Sequence, residues 1–204
     1  MSPRLFHQEA LLRKALTERG HVDPAIHINH VAGMASVDGE EMDIIYPDSF
    51  FDAGRTLFEK YMGYKRNQYF FQGITASKGK RHEMLDAFVR THSTTIIVHS
   101  DSGRAPENKG NWDNDYYTRL ARAMFGLCPH HLNFPDKGYG LWTYRFIECC
   151  MVGAIPVLFR ETPLRESFVE GFHYVWNDKR KHKFNPVYAA HNLVLVQERF
   201  GLPQ

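Results

Sequence analysis

The sequence predicts an α/β fold, a Rossmann-like parallel sheet with helices on both faces. Two observations predict it. From about residue 67, short strand-like runs alternate with stretches of helical period. Turn residues close the segments, as at Gly73, Pro129, Gly153 and Gly201. The length of 204 residues fits one large domain or a domain with a small addition.

The elements follow in order. "LFHQEALLRKALTER" places Leu5, Leu11, Leu12 and Leu16 on one helical face, and Gly20 stops that helix. "DIIYP" is a short apolar run ended by Pro47, and "SFFDAGRTLFEKYMGY" is an amphipathic helix. Residues 1–64 therefore form a helical and irregular N-terminal appendage with one or two short strands. Residues 65–204 carry the regular pattern. "QYFFQGI" is a strand, "KRHEMLDAFVRTH" a helix and "TTIIVHS" a strand. A polar loop at 105–115 precedes the helix "YYTRLARAM" and the strand "FGLCP". "YRFIECCMVG" is a helix, "AIPVLF" a strand, "PLRESFV" a short helix and "HYVWN" a strand. "NPVYAAHNLVLVQERFG" closes the chain as a helix. In such a sheet a ligand sits at the carboxyl ends of the strands, near the topological switch point.

Composition narrows the function. Hydrophobic residues make up 43% and aromatics 14%, enough for a full core. A net charge of +2 is too mild for a nucleic-acid partner, which needs a clustered basic face. It suits a small anionic ligand. The three cysteines, Cys128, Cys149 and Cys150, show no zinc spacing and read as reduced, buried thiols. No leader pattern and no run near the ~18 apolar residues of a membrane span is present, so a soluble cytoplasmic protein is expected. The basic run "KRKHK" at 179–183 reads as a solvated face, and "HINH" at 27–30 as structural.

Three segments on the expected rim carry chemistry. In "FFQGITASKGKRHEML", Gly73 turns the chain and Arg81 falls in the first turn of the next helix, a setting that presents N–H groups and charge to an anion. In "FGLCPHHLNFPDKGYG", a strand ends at Pro129 and an unusually long loop follows, with His130 and His131 in a ligand's path. No metal is expected there, since no third ligand shows a suitable spacing. In "GLWTYRFIECCMVGAIPVLF", Thr143 is a plausible N-cap, with Arg145 in the first turn and Glu148 one turn on. A buried Arg–Glu pair is costly unless it does something else. Arg145 suits a phosphate, and Glu148 suits a pair of sugar hydroxyls. Trp142 and Tyr144 could stack on a base.

These segments resemble the exostosin-like glycosyltransferases. The likeness rests on "FFQGITASKGKR", on "YYTRLARAMFGLCP" and, most specifically, on "TYRFIECCMVGAIPV", and spans about residues 67–165. It implies one half of a GT-B fold and a metal-independent, inverting sugar transfer from a nucleotide-diphosphate sugar, UDP- or GDP-linked, to a carbohydrate acceptor. It also implies that Arg145 contacts the diphosphate and Glu148 the ribose, with Gly73 and Arg81 lining the same pocket. Pro129, His130 and His131 stand where the family usually has Pro-Arg-Gly after the cysteine. Thr143 replaces a serine. No second Rossmann-like domain is evident, so the alternative is a non-catalytic nucleotide- or glycan-binding half working with a partner domain or a second copy. A fucosyltransferase-like enzyme is a more distant alternative. No catalytic base can be assigned: Asp48, Asp52 and His82 are available, and none has a mechanistic signature.

Overall fold

The computed structural model describes residues 3–29, 34–44, 46–73, 75, 80–99, 112–129, 144–161 and 166–201. Helix α1 (Pro3–Glu18) leads into strands β1 (Ile26–Asn29), β2 (Met34–Val37) and β3 (Glu40–Asp43), an antiparallel meander. Within the apolar run "DIIYP", Asp43 ends β3, and Tyr46 ties its N–H to the Phe200 carbonyl at 2.7 Å. Helix α2 (Asp48–Tyr61) and a 3-10 turn (Met62–Tyr64) follow.

The second part alternates as expected: β4 (Asn67–Gly73), α3 (Lys80–Thr91), β5 (Thr95–His99), α4 (Asn114–Ala121), β6 (Ala123–Cys128), α5 (Tyr144–Met151), β7 (Ile155–Leu158), α6 (Glu166–Val169), β8 (Val175–Trp176) and α7 (Pro186–Phe200). The five strands form one sheet in the order β5-β4-β6-β7-β8, and every pairing is parallel. Counted within this sheet the order is 2-1-3-4-5. Its switch point therefore lies between β4 and β6, where the chain leaves β4 in one direction and β6 in the other.

Alternate residues of each strand face opposite layers. Tyr69 and Phe71 of β4, with Phe125 and Leu127 of β6, pack with Met84, Leu85 and Phe88 of α3. Phe70 and Cys128 point the other way, into a cluster with Tyr116, Tyr117 and Leu120 of α4 and Phe146, Ile147 and Cys150 of α5. Leu12 and Leu16 of α1, Ile26 and Val37 of the meander, and Phe50 and Phe51 of α2 belong to that same cluster. The first 64 residues thus share a core with the sheet's own helices.

Two glycines set how closely α5 lies on its neighbours. A Cβ on Gly126 would stand 2.2 Å from the Cys149 sulfur, so only glycine lets α5 settle this deeply on β6. Gly153, at φ +73°, ends α5 in the left-handed region, where glycine carries no Cβ penalty. At this amino end of the sheet the Lys65 ammonium donates to the Ala121 and Gly153 carbonyls at 2.7 and 2.9 Å, satisfying the ends of α4 and α5. Burial pulls the Lys65 pKa down to about 7. No helix among the described residues is long and apolar enough to cross a membrane.

Candidate functional site

The switch point places the site. Gly73 ends β4, and Cys128 with the buried Pro129 ends β6 beside it. Helix α5 starts at Tyr144 over this gap, and its second residue is Arg145. The Arg145 guanidinium lies 4.3 Å above the Phe71 ring and donates from Nη2 to the Gln72 carbonyl at 2.7 Å. The aromatic face and the carbonyl together hold the plane of the cation, which a lysine could not reproduce. A Cβ on Gly73 would come within 2.7 Å of Nη2. Glycine at 73 is thus the condition for an arginine at 145 to lie across the end of β4.

Glu148 is one helical turn further along and only 3% exposed. Its Oε2 accepts the Tyr116 hydroxyl at 2.7 Å. The tyrosine is delivered by a chain of local causes. The Asp113 side chain caps α4 by accepting the Tyr116 N–H at 3.0 Å, which starts the helix at Asn114. The first turn of α4 then turns Tyr116 and Tyr117 inward, and Trp112 stacks on Tyr117 at 3.8 Å. Arg145 and Glu148, read from the sequence as a pair, reach to different elements, one to β4 and one to α4.

Arg81 is buried, at 6% exposure, in the first turn of α3. Gly73, Arg81, Pro129, Arg145 and Glu148 all belong to the segments that meet at the carboxyl ends of β4 and β6. His130, His131 and Thr143 lie outside the described residues, as do Trp142 and most of the 105–115 loop. Tyr144 is described and packs edge-on against Tyr46 at 6.4 Å.

Of the proposed bases, Asp48 at the start of α2 pairs with Arg19, and Asp52 is exposed on the same helix. His82 follows Arg81 on α3, and its Nε2 meets Asp86 Oδ2 at 3.1 Å. The sequence reading missed Asp86 as a partner, although an i, i+4 His–Asp spacing was a usable signal. It also missed Tyr116, Gln72, Thr75 and His99, which sequence spacing does not connect to the site. His99 ends β5 directly opposite Gly73, and its Nδ1 is hydrogen-bonded to Thr75 Oγ1.

The three cysteines are free and buried, and desolvation pushes the Cys149 and Cys150 thiols well above their ordinary value. They are unreactive fillers. Among the described residues no group of three or more His, Cys, Asp or Glu side chains is arranged to hold a metal ion.

Comparison of the chain with protein-family models, with characterised proteins and with solved structures gives no match.

Proposed function

We propose that this chain is a nucleotide-sugar-binding glycosyltransferase domain, transferring a sugar from a UDP- or GDP-linked donor to a carbohydrate hydroxyl. One observation carries the proposal. An arginine on the first turn of α5 is clamped across the carboxyl end of β4 at the switch point, against a glycine whose missing side chain makes the room. This is where a doubly wound sheet binds ligands, and a planar cation beside a helix N-terminus is suited to a diphosphate.

The neighbouring groups fit the rest of such a donor. Arg81 adds a second cation from α3, on the opposite layer. Two of the three charged side chains are nearly withdrawn from water, so each interacts more strongly with a charged ligand than it would at an open surface. Glu148 as a carboxylate has about four lone-pair positions, enough to accept from Tyr116 and from a ribose diol together. The sequence resemblance to exostosin-like enzymes points to the same assignment. During transfer, Arg145, Arg81 and the α5 N-terminus would stabilise charge building on the departing diphosphate.

The test is calorimetry with UDP and GDP, followed by a screen of UDP- and GDP-sugars for release of the nucleotide. Arg145→Ala should weaken nucleotide binding by about 10- to 100-fold, the loss expected for one charge-assisted contact. Wild-type binding of neither nucleotide would refute the proposal. Binding without turnover on any acceptor would reduce it to a binding module that works with a partner.

A further inference from the structure

We propose that His82, oriented by Asp86 and faced by His99, is the general base that activates the acceptor hydroxyl. This rests on the transferase function proposed above and supplies the base that the sequence left unassigned.

Three elements bring the groups together. Helix α3 carries His82 and Asp86 one turn apart. Strand β5 ends in His99, and Thr75 follows β4 and holds the His99 ring through Nδ1. The His82 and His99 ring centroids are 6.4 Å apart, a separation that admits one hydroxyl between the rings. Gly73 is the register partner of His99, and the same Gly73 abuts Arg145. The histidine pair and the arginine therefore flank the end of β4 from opposite sides. A sugar held between them would have its diphosphate toward Arg145 and its acceptor-facing side toward His82 and His99.

The tautomer follows from the contacts. Asp86 Oδ2, 3.1 Å from His82 Nε2, favours the proton on that nitrogen, which leaves the Nδ1 lone pair to take another. His99, engaged at Nδ1 by Thr75, keeps Nε2 for the acceptor. In the transfer step the acceptor hydroxyl gives its proton to His82 Nδ1 while its oxygen bonds to the anomeric carbon. The bond from that carbon to the β-phosphate oxygen breaks, and its electron pair leaves with the nucleoside diphosphate. The imidazolium then returns its proton to solvent. His82 is the catalytic residue in this step, and Asp86 is a positioning residue. Both side chains are partly exposed, at 33% and 53%, so substitution should leave the fold intact.

The experiment uses the full chain, with UDP and GDP in calorimetry and nucleotide release from UDP- and GDP-sugars with a panel of mono- and disaccharide acceptors. His82→Ala should keep nucleotide affinity within about twofold and lower turnover by about 10²- to 10⁴-fold. Added imidazole should restore part of the lost rate. Asp86→Asn should lower turnover at unchanged nucleotide affinity, with Asp86→Glu recovering most of it. Turnover of His82→Ala within about threefold of wild type overturns the assignment. So does a loss that imidazole leaves unmoved and that comes with an equal loss of nucleotide affinity, because His82 would then serve the donor pocket. Failure of the wild-type chain to bind either nucleotide is a different result, which removes the donor site and this base with it.

Discussion

Tyr116→Phe isolates one hydrogen bond at the centre of the site. The substitution keeps the ring, which packs 5.1 Å from Tyr117 and 6.5 Å from Phe70, and removes only the hydroxyl. That hydroxyl donates to a Glu148 carboxylate 2.7 Å away, with the two residues at 1% and 3% exposure. Water cannot readily replace the donor at such burial, and a hydrogen bond to a charged group is worth about 1.5–3 kcal/mol. Almost no apolar area changes, so the effect should sit in the polar contacts of that hydroxyl. For a chain of this size each kcal/mol shifts Tm by about 2–4 °C, which gives a fall of about 3–12 °C with the urea m-value unchanged. The assay is urea and thermal unfolding of Tyr116→Phe, Glu148→Gln and the double variant. The double variant should cost less than the sum of the singles by about 0.5–3 kcal/mol. A single-variant loss below about 0.5 kcal/mol, with strict additivity, would refute the claim that Tyr116 holds Glu148.

Further tests separate the site from the scaffold. Gly73→Ala needs the far end of Arg145 to move and the Phe71 ring to give by a few tenths of an ångström, so Tm should fall by only a few degrees while nucleotide affinity in calorimetry falls several-fold. Gly126→Ala drives a Cβ into the buried Cys149 sulfur and should cost about 1–3 kcal/mol in urea unfolding. Lys65→Met leaves two carbonyls at the ends of α4 and α5 without their donor and should destabilise by about 2 kcal/mol. Burial holds His182 below its usual value despite Asp178 beside it. The unfolded chain therefore takes up this proton first as pH falls. Stability should drop as pH passes below about 6.5 and level off under the lowered folded value. A Tm series from pH 7.5 to 5 should show a shallower slope for His182→Gln than for the wild type.

Much of the architecture was legible because it depends on local chemistry. Gly153 and Gly201 close α5 and α7 where expected, and the Gly73 turn ends β4. The meander was harder. β3 reads "EEMD", with no apolar alternation, and exists through its pairing with β2 rather than through any propensity of its own. "KRKHK" read as a plain charge run. Its fourth residue, His182, is instead drawn inward to the Tyr69 hydroxyl at 3.1 Å, a contact across 113 positions. Of the site, Gly73, Arg81 and Arg145 were visible because each sits at a turn or in a first helical turn, where backbone geometry announces itself, and Glu148 because it is an acid one turn on in an otherwise apolar run. Their partners were not.

From residue 65 on, the sequence by itself determined the order of strands and helices, the ends of most of them, and the charged residues standing at those ends. These follow from period, capping and turn chemistry within a few residues. Only the tertiary structure decided that the sheet runs β5-β4-β6-β7-β8, so that the switch falls between Gly73 and Pro129. It alone decided that Arg145 lies on Phe71, Glu148 on Tyr116 and His99 beside Gly73. Those partners come from different strands and helices, and contacts between distant segments leave no period or spacing in a single chain to be read.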